Sequence, residues 1–249
     1  MRSEAGSRKE IILLRTWTQK KLDSLLLESS KIDDTGQRID FLSRHFLGTP
    51  YQESTLVGDI NMAEVFVINL EAVDCFTFLD YIESMRRSFS FDEFRENLRK
   101  VRYRGGEVNF KNRNHFFTDW CKLNSDFIDD LTGQLGIKKA IDIMKLLNQK
   151  DDGTCFLAGI QPSKRVITYI PVDIIGDPIL SQLRTGDYIG IYSEKQGLDV
   201  SHVGILVKEK DKTYLRHASS HNEHKKVVDQ DFKGYITKKP GILVFRSKK

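Results

Sequence analysis

Three residues in this chain have the types and order to do covalent chemistry. Cys75 stands in Val73-Asp74-Cys75-Phe76-Thr77-Phe78, and His202 in Val200-Ser201-His202-Val203-Gly204-Ile205. His217 stands in Tyr214-Leu215-Arg216-His217-Ala218-Ser219-Ser220. A thiol at a loop-to-helix junction, followed by imidazoles on two later strand-like runs, has the makings of a nucleophile, its base and a residue that orients the base. The chemistry would be attack on a carbonyl carbon through a thioester. Taken singly, a cysteine at a helix start or a core histidine is more often inert than catalytic. The reading rests on the three together.

The thiolate is the attacking species, and an unperturbed thiol with a pKa of about 8.5 is mostly protonated at neutral pH. Asp74 is placed to cap a helix that starts at Cys75. The unpaired N–H groups and positive dipole end of that first turn are expected to favour the anion. An imidazolium nearby would help, and the backbone N–H of Cys75 could meet a developing oxyanion. His202 leads an apolar strand, and Gly204 lets other groups approach closely. If His217 lies on the adjacent antiparallel strand, the two rings come within reach of each other.

The elements that must position these residues are helices first and strands second. Lys9 to Glu28 carries Ile12, Leu13, Trp17, Leu22, Leu25 and Leu26 roughly on one helical face. Asp34 or Thr35 caps a second helix with Ile39, Leu42, Phe46 and Leu47, stopped by Gly48-Thr49-Pro50. A short strand over Glu64 to Leu70 feeds the loop to Asp74, and Phe78, Leu79, Ile82 and Met85 continue the helix from there to Arg87. Ser90 to Glu93 reads as a capping box for a helix through Leu98 and Val101, broken at Arg104-Gly105-Gly106. Helices are also expected over Thr118 to Leu131 and Lys138 to Leu147. After Pro162 come β-runs at 166–170, 188–192, 202–207, 213–217 and 242–245, with turns near Gly186, Gly197 and Asp211. The fold class expected is α+β, with a helical N-terminal part packed on a C-terminal antiparallel sheet. Residues 1–33 read as a helical extension and 34–249 as a single catalytic domain.

A chain of 249 residues with 39% hydrophobic and 30% charged residues can build one sizeable core. The formal charge of +4 is mild, and the basic cluster Arg99, Lys100, Arg102 and Arg104 is not interleaved with aromatics. A solvated surface therefore fits it better than a nucleic-acid platform. No apolar run is long enough to span a membrane. The segment Met1 to Glu10 is polar and charged, so a periplasmic or secreted location is expected if a leader was removed upstream of Met1, and the cytoplasm otherwise. Cys75, Cys121 and Cys155 make an odd count without metal-type spacing, which argues against a disulfide framework.

Asp74-Cys75, His202-Val203-Gly204-Ile205 and His217-Ala218-Ser219 resemble, in order, the three motifs of the NlpC-type cysteine peptidases, a papain-like superfamily that cuts bacterial cell-wall peptides. Gly48-Thr49-Pro50-Tyr51 is similar to the segment upstream of that family's nucleophile, and Gly186-Asp187 to the turn before its histidine strand. More narrowly, the chain resembles the N-acetylmuramoyl-L-alanine amidase-like branch. The marks are Phe46-Leu47-Gly48-Thr49-Pro50-Tyr51, Val67-Ile68-Asn69-Leu70, Arg113-Asn114-His115-Phe116-Phe117-Thr118-Asp119-Trp120, Tyr169-Ile170-Pro171 and Gly197-Leu198-Asp199-Val200. The resemblance implies a papain-like fold and a cysteine hydrolase of peptidoglycan amide bonds, acting as a monomer without metal or organic cofactor. It implies Cys75 as nucleophile, His202 as general base and acid, and His217 as the orienting residue. Tyr51 would help hold the oxyanion, and His115 would line the substrate groove. Phe76 departs from the superfamily's small Ser or Thr and would reshape that groove.

Other residues fit quieter roles. His115 beside Phe116, Phe117 and Trp120 also suits core packing. His221 and His224 lie in a polar stretch without metal-site spacing and read as a solvated loop. Ser219 and Ser220 serve a turn, Asp187 fixes one, and Cys121 and Cys155 are structural. Two rival functions remain. One is an acyltransferase or amidase acting on a lipid or a host protein. The other is a catalytically dead cell-wall binding protein, whose Cys75 would react with iodoacetamide no faster than a free thiol.

Overall fold

The computed structural model describes residues 10–136 and 138–249. In chain order its elements are β1 (Glu10–Leu13), α1 (Gln19–Ser29), α2 (Thr35–Arg44), β2 (Phe66–Asn69), α3 (Cys75–Arg86), α4 (Phe91–Arg102), α5 (Phe117–Leu123), β3 (Ile128–Asp130) and α6 (Thr132–Leu135). There follow β4 (Ile141–Leu147), β5 (Ser163–Pro171), α7 (Asp177–Leu180), β6 (Tyr188–Tyr192), β7 (Val200–Glu209), β8 (Lys212–Ala218), β9 (Val227–Asp231), α8 (Phe232–Ile236) and β10 (Gly241–Ser247). The chain is thus a mixed α/β structure, with helices concentrated early and a large antiparallel sheet late.

The sheet runs β4-β5-β10-β6-β7-β8-β9, with β3 paired to the far end of β10. Successive residues of its central strands face opposite sides. On β7, Val203 and Ile205 enter the core shared with α1 to α5, while Leu206 enters a second core beneath α7 and α8. Leu22, Leu25 and Leu26 of α1 belong to the first core. Their spacing, with Ser29, makes one buried stripe, and Thr18 caps the helix by accepting the Lys21 N–H.

Helix α3 is buried from Thr77 to Arg86, lying between α2 and α4 and against β7. Charged side chains inside such a helix need partners. Asp80 accepts from Arg102 Nε at 2.8 Å and from the Trp120 indole at 3.1 Å, and Arg102 also reaches the Val67 carbonyl at 2.6 Å. Glu83 accepts from Arg86 and from the hydroxyls of Tyr188 (2.8 Å) and Ser247 (2.7 Å), tying α3 to β6 and β10. These contacts set the axis of the helix whose first residue is Cys75.

Three sequence expectations need correction. The N-terminal helix does not begin near Lys9, which lies outside the described residues. Glu10–Leu13 is a strand paired in parallel with β2, and the helix begins only at Gln19. The backbone of Ile11 and Ile12 is used at the β2 edge, and local periodicity carries no signal for that distant pairing. The helix expected over Thr118 to Leu131 ends at Leu123, where the Asn124 side chain turns inward to the Val101 carbonyl at 2.9 Å; Ile128–Asp130 then pairs with β10. The helix expected over Lys138 to Leu147 is strand β4, paired with β5 from Ile141↔Tyr169 to Leu147↔Ser163. Lys145 on that strand sends its buried ammonium to the carbonyls of Ser193, Lys195 and Leu198 in the loop ahead of β7. Lys145 thus braces the loop that leads into the histidine strand.

Candidate active site

The loop from β2 to α3 is shaped by its own side chains. Asn69 Oδ1 accepts the N–H groups of Glu71 (3.0 Å) and Ala72 (3.2 Å), and the Asn69 N–H donates to the Tyr81 hydroxyl at 2.7 Å. Asp74 then caps α3. Its Oδ1 accepts from the N–H groups of Phe76 (2.9 Å) and Thr77 (2.7 Å), while Thr77 Oγ1 accepts the Asp74 N–H at 3.1 Å. This reciprocal box puts Cys75 at the first helical position, as its flanks predict. The cap engages the amides of Phe76 and Thr77, leaving that of Cys75 outside it.

The two histidines lie on β7 and β8. Their ladder stops at Ile205↔Arg216, so the strands part as they reach the two histidines. The backbone of Val203, next in chain to His202, is felt at Cys75 and favours its thiolate. Continued by three positions, the register would set His202 opposite Ser219 and so diagonally across from His217, on the same face of the sheet. Their rings meet edge to face, with His202 Nε2 2.6 Å from His217 Nδ1. His217 Nε2 in turn reaches Gln230 Oε1 at 2.6 Å. On the other face of β8, the buried Arg216 pairs with Asp229 and Asp40, each at 2.7 Å, which fastens the strand to β9 and α2.

The electrostatics overturn one expectation. The amides of Val203, Cys75 and Phe76 do favour a thiolate, but burial and then the charge of Asp74 outweigh them and push the Cys75 thiol up to about 12. Cys75 keeps some exposure, yet the protein packed around its sulfur makes desolvation the leading cause. Burial brings His202 down to about 3, helped by the positive charges of His217 and Lys239. His217 falls to about 4 for the same first reason, against the supporting Gln230 bond. The resting site is therefore a neutral thiol beside neutral imidazoles.

The remaining expected residues fall in different places. Tyr51 bridges to Val73, with the Gln52 N–H donating to the Val73 carbonyl at 3.1 Å, and burial first, then charge on Cys75, pushes its phenol up. His115 is turned away into its own segment: Nε2 meets the Phe110 carbonyl at 2.8 Å, the ring abuts Phe110, and burial brings it down to about 4. Phe76 packs edge-on against Phe117 and Trp120 at 6.5 Å. Asp187 fixes its turn by accepting the Arg184 N–H at 2.8 Å and pairing with Arg246. All three cysteines are free. Among the described residues, no cluster of three or more metal-type ligands occurs, and no helix is long and apolar enough to cross a membrane.

Two open clefts flank the site. One, of about 550 Å³, includes Asp74 and is walled by Phe110, Arg113, Phe156 and Leu157. The other, of about 510 Å³, is walled by Gln230, Tyr235, His224 and Lys239. A cleft of about 570 Å³ at the start of α2 shares none of the site residues. Sequence reading missed Gln230, Tyr235 and Asp199. Tyr235 lies 5.0 Å from the His217 ring and 6.2 Å from that of His202. Asp199 is buried and accepts the N–H and hydroxyl of Thr118 (2.7 and 2.9 Å), joining the loop before β7 to the first turn of α5. Gln230 had a signal of a kind, since β8 and β9 form a hairpin, but the Val227–Asp231 strand was not recognised.

A thiol at the start of a buried helix and a paired set of histidines on a large antiparallel sheet sit within a mixed α/β scaffold. Residues 41–242 match the N-acetylmuramoyl-L-alanine amidase-like (AmiA-like) family, and the chain belongs to that family. The fold is similar to that of a protein from Legionella pneumophila, at a TM-score of 0.78 and 23% identity over 93% of this chain and 94% of the other. It is also similar to an N-acetylmuramoyl-L-alanine amidase from Bacteroides uniformis, with a TM-score of 0.70 and 25% identity over 92% of this chain and 100% of that one. A further structure of an amidase of that name and organism matches with 26% identity and a TM-score of 0.68, over 90% and 99% of the two chains. No curated protein matches the sequence.

Proposed function

We propose that this chain is a papain-like cysteine amidase acting on amide bonds of bacterial cell-wall peptidoglycan. The observation that carries the reading is the 2.6 Å contact between His202 Nε2 and His217 Nδ1, with the backbone of Val203, next to His202, favouring a thiolate at Cys75. Family membership supports the amidase class, and the name of the Bacteroides uniformis relative supports the substrate.

In this mechanism His202 takes the Cys75 proton as Sγ attacks the carbonyl carbon, and the Cys75 amide with Tyr51 receives the oxyanion. Collapse breaks the C–N bond. The proton on His202 passes to the departing amine, leaving a thioester on Cys75. Water then gives a proton to His202 and its oxygen to the acyl carbon. The C–S bond then breaks, the proton on His202 returns to the sulfur, and the carboxylic acid departs.

Mass spectrometry of defined muropeptides after incubation tests the reading, and the product masses show whether the muramoyl–L-Ala bond or a stem-peptide bond is cut. Cys75→Ala should abolish turnover, and His217→Ala should lower kcat by about 10²-fold or more with KM little changed. Full activity of Cys75→Ala on the same substrates would sink the mechanism.

A further inference from the structure

Beyond the thiol and the two histidines, the hydrogen-bond chain continues outward. Gln230 Oε1 accepts from His217 Nε2 at 2.6 Å, and Gln230 Nε2 reaches His224 Nε2 at 3.2 Å. The β8–β9 register explains the placement. His217 pairs with Val228, so Gln230, two residues on, is the diagonal neighbour on the same face.

Each ring in this chain holds one proton when neutral, so the direction of one bond fixes the next. An amide oxygen facing His217 requires the proton on His217 Nε2. His217 Nδ1 is then an acceptor, and the proton between the rings must sit on His202 Nε2. The bare nitrogen of His202 is therefore Nδ1, the atom not engaged by His217. Reversing the amide would reverse every step, putting a proton on His202 Nδ1 and leaving no nitrogen free to accept one from the thiol. The structure has the first arrangement, with Gln230 Oε1 toward His217 and Nε2 toward His224.

We propose that Gln230, held by His224, is a positioning residue that sets the tautomers of His217 and His202 and thereby keeps His202 Nδ1 free as the proton acceptor. The inference rests on the catalytic reading for its consequence, but not for its geometry. The other titratable groups felt at the pair are His221, Asp229 and Lys239, with Tyr235 against both rings, and among the described residues none of these makes a hydrogen bond to either imidazole.

The test is two-bond ¹H–¹⁵N correlation spectroscopy of the histidine-labelled protein near pH 7, which reports which ring nitrogen carries the proton and needs no substrate. Wild type should show Nε2–H at both His202 and His217. Gln230→Leu, which removes both amide poles, should populate the Nδ1–H form of His202 and lower kcat about tenfold or more with KM little changed. Gln230→Glu can only accept, so it should retain the wild-type tautomers, and its negative charge should move the acidic limb of kcat/KM to higher pH. That variant also guards against a leucine variant that fails to fold. Unchanged tautomers in a folded Gln230→Leu, or a lost Nε2–H pattern in Gln230→Glu, would overturn the proposal. If the tautomers respond as expected while Cys75→Ala still turns over muropeptides, the positioning role stands and the catalytic reading fails.

Discussion

A methyl group at Gly204 would lie 3.0 Å from the Cβ of His217, 3.0 Å from the Arg216 carbonyl oxygen and 2.8 Å from Leu215 Cδ1. The absence of a side chain at this position lets β8 close onto β7 just where the ladder ends, and it allows the His217 ring to lean toward His202. Strand neighbours on one face are set by register, so the glycine and the imidazole are a matched pair.

Gly204→Ala is therefore expected to displace His217 rather than merely crowd the core. Overpacking of this kind costs about 1–3 kcal/mol, read by urea unfolding. The informative measurement is the fall in kcat relative to the fall in stability. A variant destabilised within this range that keeps wild-type turnover would show that the ring does not depend on the glycine.

Asp74 both caps α3 and raises the thiol, and the two roles separate in Asp74→Asn. The amide oxygen still accepts the Phe76 and Thr77 N–H groups, so stability should change by no more than about 0.5 kcal/mol. Loss of the negative charge should lower the Cys75 pKa and speed its alkylation by iodoacetamide several-fold at pH 8, followed on the Cys75 peptide. An unchanged rate would mean that the carboxylate is not felt at the sulfur. Slow alkylation of the wild type follows from its buried neutral thiol, so it no longer favours a dead scaffold over an enzyme.

Folding stability should respond to pH through His115, which burial brings from an ordinary 6.5 down to about 4. Between those values the unfolded chain binds a proton there that the native chain does not, so this contribution is present above about pH 6.5 and is lost on acidification. Its slope approaches about 1.4 kcal/mol per pH unit. The buried carboxyls Asp80, Asp187 and Asp199 are raised and act in the opposite sense, so the difference between wild type and His115→Gln is the quantity to follow. Glutamine keeps a donor for the Phe110 carbonyl. The difference should shrink steadily as pH falls from 6.5 to 4 in denaturant titrations, and a constant difference would contradict the assignment. Above pH 9 the opposite linkage applies to Cys75, whose raised pKa makes stability fall as the unfolded thiol ionises first.

Much of this protein was legible in its sequence because local chemistry wrote it there. Asp74 and Thr77 flank Cys75 with a complete capping box, and the apolar spacing of α3 and the turn chemistry around β6 and β7 need no distant partner. The order Cys75, His202, His217 is likewise a property of the chain alone. Pairing over long separations was not legible. Ile12 and Leu13 look helical until β2 offers an edge, and residues 141–147 look helical until β5 pairs with them.

The protonation state of the site was decided only by tertiary structure. Residue types and a helix start suggest a thiolate, since the dipole and amides are local. Burial is a sum over everything packed around the sulfur, and here it holds the thiol and both imidazoles neutral. Gln230 joins them for the same reason: only the register of β9 on β8 brings its amide to His217. The sequence by itself determined which atoms are available to react. The folded environment decided which of them carry protons, because desolvation and register are properties of the whole packing and of no single segment.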